Sequence, residues 1–220
     1  MAPTVPASPP TDEEPAYRRP MTQPGSSPDP LLLPGHLSAR AQPLLSAAGL
    51  VCRPWVLSDA PVLVRAYADP DIHRWHARSL TLDQAESWVA YETDRWKRER
   101  GCSWAITRAG DVLGRIAFGG LSLEEGRAEI SYWVLPEARR LGVASLAVSA
   151  LADWAFNEGG FHRLELEHST RNQPSCGVAA RAGFTAEGTK RSHALHLDGW
   201  HDMHAHGLLA IDCPVVPDHG

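Results

Sequence analysis

The chain has 220 residues, a formal net charge of −5 and a hydrophobic share of 43%. The acidic balance argues against nucleic acid as a main partner, and no run approaches the roughly 18 apolar residues of a membrane-spanning helix. Cys52, Cys102, Cys176 and Cys213 are scattered without a C-x-x-C pair, so they read as reduced thiols of a cytoplasmic protein.

Composition changes near residue 45. Eleven of the 18 prolines precede Leu44 and all 8 tryptophans follow Leu50, so only the second part has the aromatic bulk for a core. Residues 1–45 are expected to be a disordered Pro-rich tail, with Met21 as an alternative start. This tail lacks the basic and apolar regions of a signal peptide. Residues 46–213 are expected to form the folded domain, and residues 214–220 a flexible C-terminus.

Leu50–Trp55 reads as a first strand. Ser58 and Asp59 are N-cap types before a short helix over Ala60–Tyr67, and Asp69-Pro70-Asp71 reads as a break. Thr81 and Gln84 form a capping box that opens a helix reaching to about Arg100. The period then changes to two. Ser103–Thr107, Val112–Leu121 and Ala128–Val134 read as an antiparallel meander. A long apolar helix over Val143–Asn157 follows, then a strand over Arg163–His168 and a short helix over Gln173–Ala182. Two last strands, Thr185–His196 and His201–Ile211, flank a turn at Asp198-Gly199. A strand–helix–strand crossover after a meander predicts a mixed α/β fold of about seven strands.

The most telling segment is Val134 to Ser145. A strand ends, Arg139 and Arg140 form a basic turn, and a helix begins with the small residues Gly142 and Ala144. A helix N-terminus carries unpaired N–H groups and partial positive charge. With small residues there, a bulky anion reaches the backbone, so this turn is read as a pyrophosphate site. A nucleotide P-loop is excluded, because no G-x-x-x-x-G-K-[ST] occurs.

In register around that turn stand Arg53-Pro54-Trp55, Ser58-Asp59-Ala60, Glu129 to Val134, Asn172-x-x-Ser175, Gly183-Phe184-x-x-Glu187-Gly188 and Asp198 to Asp202. Together with Arg139-x-x-Gly142-x-Ala144, this set resembles the GNAT N-acetyltransferases, and more narrowly the RimJ/RimL type that acetylates ribosomal proteins. It spans nearly all of residues 50–212. The chain departs from the family's frequent Arg-Gly-x-Gly in having Arg139-Arg140-Leu141-Gly142. The resemblance implies a central, mostly antiparallel twisted sheet with helices on both faces, and acetyl-CoA as cosubstrate.

It also implies site roles. Trp133, Val134 and Leu135 would hold the pantetheine through their main chain. Arg139, Arg140, Leu141, Gly142, Val143 and Ala144 would cradle the pyrophosphate, and Asn172 would hold the CoA arm. Ser175 is the candidate proton donor to the departing thiolate, although Ser and Asn are also common helix caps. Glu187 matches the family's carboxylate and is the first choice of general base, with His168 second and Glu129 third. Trp75, His76, Trp88, His201 and Asp202 would line the acceptor cleft. His193, His196, His201, His204 and His206 are numerous, but nothing in their spacing brings three or four donors together, so no metal is assigned.

The acceptor stays open at this point. A protein N-terminus and a small amine both suit the fold, and a catalytically silent acyl-CoA-binding module is the reading from a different class. No nucleic acid or membrane partner is expected, and the chain is read as a monomer or homodimer.

Overall fold

A computed structural model describes residues 29–213. The predicted tail over 1–28 and the predicted C-terminal segment over 214–220 lie outside the described residues. The elements run β1 (Leu45–Ala47), β2 (Leu50–Pro54), α1 (Ala60–Ala68), α2 (Pro70–His76), α3 (Leu82–Lys97), β3 (Cys102–Arg108), β4 (Asp111–Ser122) and β5 (Arg127–Val134). They continue with α4 (Val143–Asn157), β6 (Arg163–Ser169), α5 (Gln173–Arg181), β7 (Thr185–His196) and β8 (Gly199–Leu209).

The strands form one sheet in the order β1-β2-β3-β4-β5-β6-β8-β7. Every neighbouring pair is antiparallel except β5 with β6. The apolar residues alternate as a two-sided sheet requires. Trp133 and Ala105 face one side, where Leu63, Ala66, Ile72, Ala85 and Val89 of α1–α3 cover them. Ile116, Ile130, Leu164 and Leu166 face the other, under Val148, Leu151 and Ala155 of α4 and Val178 and Ala179 of α5.

Three details differ from the expectation. The sheet has eight strands, not seven, because Leu45–Ala47 pairs antiparallel with Leu50–Cys52. The predicted disordered tail therefore ends too late. Leu32 and Leu37 are buried in the main core. The indole N–H groups of Trp96 and Trp104 each donate at 2.8 Å to the carbonyls of Arg40 and Pro43. A Pro-rich strand of chain gains order here by satisfying buried donors of the domain. The predicted break at Asp69–Asp71 is instead a helix start. The Asp69 carboxylate accepts from Ile72 N at 3.0 Å, and Pro70 occupies the first helical position, where its missing N–H costs nothing.

One feature of the sheet positions the site. β5 and β6 pair only at Arg127–Glu129 with Arg163–Glu165. β5 continues beside β4 as far as Val134 opposite Gly114, so it leaves β6 and not β4. At the far edge, β7 shifts register against β8 twice, between Ala186 and Gly188 and between Lys190 and Ala194.

Glu99 holds the N-terminal strap. Its carboxylate accepts the N–H groups of Gly35 (2.7 Å), Leu37 (2.6 Å) and Ser38 (3.0 Å). Partial burial pushes its pKa up, but these donors outweigh it and hold it below the usual value. Glu99→Ala leaves the strap donors without their acceptor and is expected to cost about 1–3 kcal/mol, read as a lower Tm and faster protease cleavage near residues 31–43. Because the folded pKa is depressed, the stabilisation is present above the unfolded carboxylate range and fades as pH falls through the folded value. An alanine variant that melts like the parent at pH 7 would show that the strap is held by packing alone.

Candidate active site

The parting of β5 from β6 opens a cleft of about 1060 Å³ that runs through the sheet. On the α4–α5 side it is lined by Tyr132, Val134, Gly142–Ser145, Asn172, Ser175 and Arg181. On the α2 side it is lined by Ile72, Arg74, Trp75 and His76. A donor and an acceptor can therefore enter from opposite faces and meet at β5.

The α4 end is built for an anion. Gly142 stands at φ 74°, the left-handed region that favours glycine, and open space surrounds its Cα. The first backbone bond of the helix is Leu146 N to Gly142 O, which leaves the N–H groups of Val143, Ala144 and Ser145 free of intrahelical partners. No acidic side chain occupies the first turn. Arg140, in the left-handed region at φ 62°, lines the cleft and makes no ion pair among the described residues. Ser145, which the sequence reading omits, caps the turn from within by donating to Gly142 O at 3.0 Å.

Arg139 has a different task from the one expected. Its guanidinium donates to Asp71 at 2.7 Å and Asp69 at 2.5 Å, and Nε reaches Val134 O at 3.4 Å. It fastens the turn to the start of α2. Leu141 is 57% exposed and Leu135 is buried in the core with its N–H given to Leu113 O, so neither lines the cleft. Trp133 is also a core residue, donating to Tyr67 Oη at 3.3 Å, but it borders the cleft with Val134.

Asn172 is the N-cap residue of α5 yet makes no capping bond, which leaves its amide free in the cleft. Ser175 is buried at the cleft wall. The Tyr132 phenol lies beside Ser175, although no well-aligned hydrogen bond reaches its oxygen. Burial pushes that phenol up to about 12, with the Ser175 hydroxyl pulling the other way, so it stays protonated at neutral pH. Its neighbour Trp133 is a core aromatic, and the alternation that buries that ring against α1–α3 turns Tyr132 toward α5.

None of the three candidate bases lines the cleft directly. Glu187, on β7, is held in a two-point ion pair by Arg163, which keeps its carboxyl below the usual range. His168 is buried on the α5 face, its Nε2 3.1 Å from His206 Nε2. Burial lowers its pKa. Glu129, the third choice, sits at the last β5–β6 pair, opposite Glu165. Burial and then the charges of Glu167 and Glu165 push its carboxyl up.

On the acceptor side, Trp75 and His76 line the cleft as expected. Burial, then Arg115, lowers His76 to about 4, so its imidazole is neutral at physiological pH. His201 lies beneath this wall. It is fully buried, bonded to Ser169 Oγ (2.8 Å), Asp198 (2.8 Å) and Arg171 (2.9 Å), with its ring 6.2 Å from that of Trp75. Asp202 supports the hairpin by accepting from Ser192 N at 2.8 Å and does not reach the cleft. Trp88 lines a second cleft of about 730 Å³, shared with Arg78, Tyr91, Arg95, Arg100 and Arg115. The Arg115 guanidinium lies over the Trp88 ring at 5.5 Å, and its buried Nε has no hydrogen-bond partner.

A mixed sheet that parts beside an unblocked helix N-terminus, with cleft walls from both faces, gives room for two reactants to meet in one cleft. The chain belongs to the GNAT acetyltransferase family, since residues 50–185 match the acetyltransferase (GNAT) domain. It is similar to YoaA, described as an uncharacterized N-acetyltransferase of Bacillus subtilis (strain 168). The two are 25% identical over 171 residues, which cover 76% of this chain and 97% of YoaA. Among solved structures it shares the fold of RimJ from Mycobacterium smegmatis in complex with CoA-disulfide, at TM-score 0.71 and 22% identity, covering 78% of this chain and 88% of RimJ. It also shares the fold of the microcin C7 self-immunity acetyltransferase MccE in complex with acetyl-CoA and AMP, at TM-score 0.68 and 18% identity, covering 73% of this chain and 92% of that one.

Gly142 separates the site from its frame. A valine there takes a backbone conformation that costs about 1–2 kcal/mol for an L residue and places a branched side chain over the free N–H groups. Gly142→Val is expected to weaken CoA binding at least tenfold by calorimetry, whereas Leu141→Ala, outside the cleft, leaves it unchanged. Equal affinity of the valine variant and the parent would remove the helix end from the binding site.

Proposed function

We propose that the chain transfers acetyl from acetyl-CoA to a primary amine by direct attack within a ternary complex. The observation that carries this is the through-sheet cleft, with an anion-binding helix end on one face and the Trp75–His76 wall on the other. The free N–H groups of Val143–Ser145 and the Arg140 side chain take the pyrophosphate, and Asn172 holds the arm that follows it. The β5 backbone freed from β6 holds the pantetheine and polarises the thioester carbonyl. Holding both reactants in one cleft makes the attack effectively intramolecular.

The proton steps follow from the charges. An ammonium must lose a proton before it attacks. Glu129, with its raised carboxyl at the vertex where the strands part, takes it through an intervening water. Collapse of the tetrahedral adduct expels the thiolate, and the Ser175 hydroxyl beside the protonated Tyr132 phenol supplies its proton. Since the base acts deprotonated, kcat/KM rises with pH through the Glu129 titration, above the ordinary carboxylate range. Glu129→Gln is expected to abolish that acid limb, and Ser175→Ala to lower kcat about tenfold or more without raising the KM for acetyl-CoA. An unchanged pH profile, or unchanged turnover, would remove the respective assignment.

The acceptor we infer is a polypeptide N-terminus with acidic residues near its start. His76 lines the first cleft and feels the charges of Arg115 and Arg78, which line the second. An acceptor reaching from the Trp75–His76 wall to the second cleft would meet the Arg115 guanidinium, which makes no ion pair among the described residues, and the Trp88 ring that it covers. The four cysteines are free, which fits a cytoplasmic enzyme. The test is acetyl transfer to matched acidic and neutral peptides and to small amines, followed by mass spectrometry. Acidic peptides are expected to be preferred, and Arg115→Lys to raise their KM about tenfold while sparing neutral ones. Transfer only to small amines would replace the peptide reading, and no transfer to any amine would favour a binding module.

A further inference from the structure

On the α5 face, away from the cleft, three histidines converge and a cysteine stands beside one of them. His168 lies on β6 directly opposite His204 of β8, and His206 follows on the same face. Their ligand nitrogens all lie within 4.8 Å of one another. Cys176, on α5, brings Sγ to 3.5 Å from His204 Nδ1. We propose that His168, His204, His206 and Cys176 form a tetrahedral zinc site that fastens α5 to the sheet.

The separations suit that metal. Zinc binds nitrogen at about 2.0–2.1 Å and thiolate sulfur at about 2.3 Å, so a tetrahedron has N–N edges of roughly 3.3 Å and N–S edges of roughly 3.6 Å. The His168–His206 edge is 3.1 Å and the Cys176–His204 edge is 3.5 Å. Cys176 stands beside His204 and outside the 4.8 Å group of the three histidines, so binding requires its side chain and the His204 ring to turn toward the metal.

The electronic state suits it as well. His168 Nδ1 donates to the carbonyl of Ser169 at 2.9 Å, which directs its Nε2 lone pair into the cluster. Glu187, whose charge His206 feels, is already held by Arg163. A soft thiolate with three imidazoles selects zinc over magnesium or calcium. Binding displaces the Cys176 thiol proton to solvent.

The site has a consequence for the cleft. α5 is a nine-residue helix that presents Ser175, the residue before Cys176, to the cleft wall. The zinc is a structural tie that positions Ser175 and takes no part in the transfer itself.

The test uses the full chain without a histidine tag, stripped with chelator and reloaded with Zn²⁺ or Co²⁺. One tightly held zinc per chain is expected, with a raised Tm. The cobalt form is expected to show tetrahedral visible bands and a near-ultraviolet thiolate-to-cobalt band. Cys176→Ser should lose the thiolate band and keep the visible ones, and His206→Ala should lose stoichiometric binding. His193→Ala, at an exposed histidine outside the cluster, should match the parent. Metal retained equally by the parent and His206→Ala, no Tm response to zinc, or a thiolate band that survives Cys176→Ser would each overturn the proposal. Should His206→Ala fail to fold, the near-isosteric Cys176→Ser variant and the zinc titration of the parent decide it.

Discussion

Two neighbouring strands that cease to pair leave backbone N–H and C=O groups without partners, and buried unpaired groups are costly. A sheet tolerates such a gap only where water or a ligand reaches it. Here the gap begins after Glu129 and Glu165, and β5 keeps its bonds to β4 throughout. The strand therefore stays straight and rigid on one side while offering main-chain groups on the other. The α4 helix end, the α5 wall and α2 are arranged around that one open seam, and each contributes a different kind of group to it.

The walls of the seam are tied together by charge. Arg139 joins the turn before α4 to Asp69 and Asp71 at the start of α2. Burial pushes the Asp69 carboxyl up, but the Ile72 N–H and the Arg139 guanidinium outweigh it and hold it ionised. The arginine thus sets the spacing between the donor end of the cleft and its acceptor wall. Arg140, one residue on, is left free by the same turn. Of two adjacent arginines in one basic motif, one is fixed in the frame and the other faces the cleft.

Local chemistry was legible in the chain, and distant pairing was not. The period-two runs mark β3 to β8, and the small residues after Arg140 mark the anion site, because both depend on neighbours in sequence. Glu187 and His168 look like bases by type and by resemblance. Their partners, Arg163 and His206, lie 24 and 38 residues away, and those partners remove them from the cleft. The strap was missed for a similar reason. Proline content signals poor packing, but Leu32, Leu37 and the carbonyls of Arg40 and Pro43 answer demands made by Trp96, Trp104 and Glu99. Pro70 was read as a breaker because its effect depends on Asp69 capping the turn that it opens.

The sheet ends in two unlike edges. β1 is 3 residues long and offers little backbone to another chain. β7 is 12 residues long and largely exposed, the kind of edge that invites strand addition. Its two register shifts, the left-handed turn at Ser192 and the charges of Lys190 and Arg191 interrupt any flat run of donors and acceptors. The irregularity that makes β7 look poorly formed breaks the even ladder that a further strand would need to pair with.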